Sequence, residues 1–131
     1  PLEERQRHWL EMYDTRYRNG HQGKYFVHVL EKMILRTPTM FPNHASEGLM
    51  RQITARSDHD LSTELHKISQ QCLVVGGKYD GIAPQQNLHY LAEHLPFSEL
   101  RFFDGGHSFL WEDESAWESI SAFLRKDDGT L

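Results

Sequence analysis

The run Cys72-Leu73-Val74-Val75, followed at once by Gly76-Gly77, constrains this chain more than any other stretch. Four apolar residues without polar alternation suit a strand buried on both faces, the environment of a parallel sheet. Pro84 then opens a predicted helix from Gln85 to Leu95, since its fixed φ and missing N–H are tolerated in a first turn, and Pro96 ends it. Leu100-Arg101-Phe102-Phe103 reads as a second strand and Asp104-Gly105-Gly106 as a tight turn. Asp113 to Leu124 follows as a helix with Trp117, Ile120, Phe123 and Leu124 inward, and Lys126 to Leu131 reads as a frayed tail. Strands joined by a helical crossover pair in parallel with a right-handed connection. Two such strands need cover on both faces and both edges, so the remaining strands are expected from elsewhere. With 131 residues beginning at Pro1 instead of Met, the chain is expected to be a piece of something larger.

Before Ser57 the pattern is helical. Trp9, Leu10, Met12, Tyr13 and Tyr17 space out an amphipathic helix from Leu2 to Arg18, stopped by Asn19-Gly20 and read as a solvated charged face. A more apolar helix is predicted from Lys24 to Leu35, closed by Thr37-Pro38. A third, N-capped by Asn43, runs to Arg56, and Leu61 to Ile68 reads as a short helix or turn. Two units follow: a helical segment over residues 1–57 and an α/β segment over residues 58–131.

Charge excludes some functions. With 14 Lys and Arg against 19 Asp and Glu, the net charge of −5 offers no basic surface for nucleic acid or an anionic membrane. A single cysteine builds neither an internal disulfide nor a cysteine zinc site. No leader and no apolar run approaching ~18 residues is present, so a cytoplasmic protein without a membrane span is expected. The nine histidines show no metal-ligand spacing. His89 and His94 stand five apart, off a common helix face, so scattered surface histidines and no metal are expected.

Two motifs carry chemistry. Gly76-Gly77-Lys78-Tyr79-Asp80-Gly81-Ile82-Ala83-Pro84 and Asp104-Gly105-Gly106-His107-Ser108 each place an ionisable residue just beyond the carboxyl end of a predicted parallel strand, where open α/β sheets build their sites. An acid followed one strand–helix unit later by a histidine is the orienter and base half of a nucleophilic triad. Asp80 would fix the imidazole tautomer and His107 would move the proton. Taken singly, Asp80 also suits a turn and helix cap, and His107 a surface turn. Asp58 and Asp60 are an alternative acid or loop caps. Cys72, opening an apolar run, reads as an inert core cysteine.

From about Ala55 to Leu124 the chain resembles the C-terminal part of an α/β-hydrolase. Residues 68–84 are similar to that family's seventh strand and acid loop, and residues 100–113 to its eighth strand and histidine loop. The resemblance implies an α/β fold class: a partial α/β-hydrolase fold in which a helical cap precedes β-α-β-α with parallel strands. It also implies a Ser-His-Asp type site acting without cofactor on an ester, lactone, amide or similar small acyl substrate. Asp80 would be its acid and His107 its base. The family's nucleophile sits in Gly-x-Ser-x-Gly, which this chain lacks. The nearest string, His44-Ala45-Ser46-Glu47-Gly48, has no first glycine and follows no strand. The isolated chain is therefore expected to be inactive. The alternative is a non-catalytic α/β module acting through partners, and on either reading the open sheet edge at Cys72–Val75 predicts self-association or strand exchange.

Overall fold

The computed structural model describes residues 2–19, 45–57 and 59–126. Helix α1 (Leu2–Tyr13) leads into a 3-10 turn (Thr15–Asn19). Helix α2 (Ala45–Ser57) and a second 3-10 turn (Ser62–Lys67) precede strand β1 (Cys72–Gly77). Then follow α3 (Gln85–His94), β2 (Ser98–Phe103), the single-turn α4 (Phe109–Glu112) and α5 (Ser115–Lys126). The helix expected over Lys24 to Leu35, its Thr37-Pro38 stop, Asn43, Asp58 and residues 127–131 lie outside the described residues.

β1 and β2 pair in parallel, from Cys72 opposite Ser98 to Gly77 opposite Phe103, with α3 as the crossover. The pairing continues past the strand ends, because the N–H of Lys78 donates to the Phe103 carbonyl (3.0 Å) and that of Tyr79 to the Gly105 carbonyl (2.9 Å). Burial gathers at this same carboxyl end, where Val74, Gly76, Gly77 and Phe103 are buried while Cys72 and Leu73 are half-buried. Phe103, Phe109 and Ala116 form the apolar cluster, with Val75 and Leu110 against it and the two phenyl rings stacked at 5.6 Å. Leu88 of α3 covers Gly76, where a Cβ would stand 2.3 Å from its Cδ2.

Three expectations change. The predicted Leu2–Arg18 helix stops at Tyr13, because an Asp14 carboxylate oxygen takes the Arg16 N–H (2.9 Å) and the Thr15 N–H turns away to the Tyr79 carbonyl (2.8 Å). The last predicted helix begins at Ser115, not Asp113. Asp113 caps it, one carboxylate oxygen accepting from the Ser115 N–H (3.0 Å) and the other from the Asp104 N–H (2.8 Å). On α5 the inward stripe is Ala116, Ile120 and Phe123, so Trp117 and Leu124, one residue further round, are exposed instead of inward.

Candidate active site

Asp80 and His107 come together. His107 Nδ1 lies 2.9 Å from Asp80 Oδ2. The extended pairing beyond β1 and β2 accounts for this, since it delivers the two loops side by side at one edge of the sheet. Asp80 divides its oxygens between two tasks. Oδ1 accepts the Ile82 and Ala83 N–H groups (2.8 and 2.9 Å), fixing the turn into α3, while Oδ2 faces the imidazole. One aspartate thus both fixes the turn and meets the imidazole. Its side chain is 4% exposed, whereas that of His107 keeps 39%. An ionised carboxylate only accepts, so a neutral imidazole in this contact carries its proton on Nδ1 and keeps Nε2 as its acceptor.

The segment around Met12 to Arg16 clamps both loops. Gly81 donates its N–H to the Met12 carbonyl (2.9 Å), and His107 donates its own to the Tyr13 carbonyl (2.6 Å). The Tyr13 ring meets the imidazole edge-on, centroids 5.3 Å apart. Such close approach requires glycine at two points. A Cβ on Gly77 would fall 2.1 Å from the Gly106 carbonyl oxygen, and one on Gly106 would fall 2.1 Å from that of Tyr13.

Sequence reasoning missed the charges beside this pair. Arg16 grips Asp14, with Nε 3.0 and 3.1 Å from the two carboxylate oxygens and Nη2 2.6 Å from Oδ2. Its guanidinium lies over the Tyr79 ring, 4.1 Å from the centroid, and stands 3.4 Å from both Asp104 Oδ1 and Glu112 Oε2. The hydrogen bonds to Asp14 hold the guanidinium above its usual range against the opposing effect of partial burial, and the charges of Asp14, Asp104 and Glu112 add to this. The expected solvated face of the first helix thus ends in a part-buried ion pair. The Asp14-Thr15 break is the local signal for this corner.

The other candidates are dispersed. Ser46 lies in the first turn of α2. Cys72 opens β1, roughly 16 Å of strand from the Asp80 end, and its Sγ lies 3.4 Å from the Gln70 carbonyl oxygen. Asp60 caps the 3-10 turn through the Ser62 N–H (2.8 Å), a bond that holds its carboxyl below the usual range. His89 and His94 are exposed on α3, against Phe102 and Tyr90 respectively. Among the described residues no three His, Cys, Asp or Glu side chains are placed to hold a metal ion, and no helix is long and apolar enough to cross a membrane.

Comparison with known proteins agrees with this architecture. The chain is 44% identical over 64 residues to a poly(3-hydroxyalkanoate) depolymerase of Ectopseudomonas oleovorans, a match covering 48% of this chain and 23% of that protein. The chain thus spans under a quarter of the relative it matches. The α/β-hydrolase fold profile matches residues 2–114, most of the sequence, including both strands and both loops. The chain belongs to the α/β-hydrolase fold family.

Proposed function

We propose that Asp80 and His107 are the acid and base of a hydrolytic triad that cleaves an acyl ester, with a serine nucleophile and oxyanion hole supplied from outside these 131 residues. The carrying observation is the 2.9 Å contact between His107 Nδ1 and Asp80 Oδ2 at adjoining strand ends. Nε2 takes the proton of the nucleophile's hydroxyl as that oxygen attacks the ester carbonyl, then returns it to the leaving alkoxide as the C–O bond breaks. A water attacks the acyl-enzyme next, giving a proton to Nε2, which passes it to the serine oxygen as the acyl C–O bond breaks and the carboxylic acid departs. Asp80 holds the ring and stabilises the imidazolium formed in each half. A hydroxyalkanoate ester is the substrate class suggested by the depolymerase relative. Residues 1–57 are read as the cap over the site, anchored where Met12 and Tyr13 meet the two loops.

The test is turnover of p-nitrophenyl acyl esters by the full-length protein. His107→Ala and Asp80→Asn are expected to lower kcat by about 10³–10⁴-fold, and the 131-residue chain is expected to show no turnover. In the chain itself, imidazole ¹⁵N spectra of the neutral His107 ring should show the proton on Nδ1, a preference lost in Asp80→Asn. A His107→Ala protein at the wild-type rate would overturn the reading.

A further inference from the structure

Besides Asp80, the carboxylates of Asp14, Asp104 and Glu112 gather around Arg16 beside the histidine loop. Asp14 and Glu112 are buried, with 1% and 3% exposure, and Asp104 is open to solvent. Arg16 lies within 3.4 Å of all three. Its contacts reach both halves of the pair through neighbours. The guanidinium stacks on Tyr79, which precedes Asp80, and it bonds Glu112 Oε2, the oxygen that accepts the Gly106 N–H (3.0 Å) just before His107. The Arg16 side chain is 22% exposed and sits on the turn whose backbone grips Tyr79, while the residues before it grip Gly81 and His107.

We propose that Arg16 is a positioning residue of the site, its planar fork setting the spacing between the acid and histidine loops so that His107 Nδ1 stays on Asp80. This rests on the reading of that pair as acid and base. Removing the guanidinium takes from Asp14 the fork that holds it, from Glu112 Oε2 one of its partners, and from Tyr79 the group stacked on its ring. Buried carboxylates that lose such a partner rearrange, and the Glu112 anchor on Gly106 loosens with them. Lysine restores the charge but not the fork that meets Asp14, Glu112 and Tyr79 together.

The test measures kcat and KM separately for p-nitrophenyl ester hydrolysis by the full-length protein carrying Arg16→Met or Arg16→Lys. Arg7→Met is the control, since that side chain is 79% exposed on α1. Arg16→Met is expected to lower kcat about 30- to 100-fold with KM within about threefold, and Arg16→Lys about tenfold. In the same folded variants the His107 ¹⁵N signals should lose their preference for the Nδ1–H tautomer, which a merely stabilising arginine would not affect. Folded Arg16→Met with kcat within about twofold of wild type overturns the proposal, as does failure of both variants to fold, which makes Arg16 a stability residue. His107→Ala run alongside separates the two ideas. If it keeps its rate the acid–base reading falls, and if it alone loses rate only the role of Arg16 falls.

Discussion

Replacing Gly106 by alanine tests whether the α1 corner is seated against the histidine loop. The new Cβ would lie 2.1 Å from the Tyr13 carbonyl oxygen, 2.8 Å from Asp14 Cβ and 2.9 Å from Asp14 Cα, where ordinary contact begins at 3.4 Å. Neither the carbonyl nor the Cα belongs to a flexible side chain, so the corner must withdraw by more than an ångström, and the His107 N–H loses its Tyr13 acceptor. Overpacking of this kind costs about 1–3 kcal/mol and the lost hydrogen bond about 1 kcal/mol, together about 2–4 kcal/mol. At about 3–5 °C per kcal/mol for a chain of this size, Tm should fall by about 6–20 °C. Urea unfolding followed by circular dichroism gives the free energy directly. The same change at Gly48, inside α2 with nothing within 4 Å of a Cβ, should raise stability by about 0.5–1 kcal/mol through helix propensity. Opposite signs from one substitution type are the expected signature. A Gly106→Ala protein within about 0.5 kcal/mol of wild type would refute the packing of this corner.

Leu88→Ala should cost about 2–5 kcal/mol in urea unfolding, because the buried Leu88 side chain is what covers Gly76. Glu99 is held below the usual carboxylate range first by its hydrogen bond from Arg101 and then by the charge of Lys126. A depressed folded value means its contribution is present above the unfolded pKa near 4.5 and lost as pH falls through the folded one. Thermal scans of Glu99→Gln should therefore show a Tm deficit at neutral pH that closes under acid conditions; a gap independent of pH would contradict the assignment. Among the described residues β1 pairs on one side alone, so the isolated chain should associate, and a monomer by light scattering at high concentration would count against an adhesive edge.

Asp80 and His107 were legible because each sits in a short glycine-marked loop directly after a strand, and parallel pairing makes two such loops neighbours. The crossover helix was legible from its bracketing prolines. Arg16 was not, since Asp14 two residues away marks only the corner, while Asp104 and Glu112 lie 88 and 96 positions away and leave no local trace. Within its own helix it looked like one more surface charge. The end of α1 at Tyr13 was missed for a related reason. Apolar spacing continues to Tyr17, but a carboxylate bonded to the backbone two residues on outcompetes the helix there. Trp117 and Leu124 were misplaced because two overlapping stripes on α5 satisfy helical spacing, and only packing on Phe103 and Phe109 selects the one through Ala116.

The corner holds the two loops by main-chain atoms: Gly81 on Met12, His107 on Tyr13, Thr15 on Tyr79. A grip made by carbonyls and amides is indifferent to what the gripping residues carry as side chains. Sequence drift, or a mutagenesis library, can therefore change the side chains of Met12 and Tyr13 while the anchoring survives, and the restriction falls on the glycines facing them, Gly81 and Gly106. Diversity in this corner belongs at positions 12 and 13, with Gly81 and Gly106 left alone.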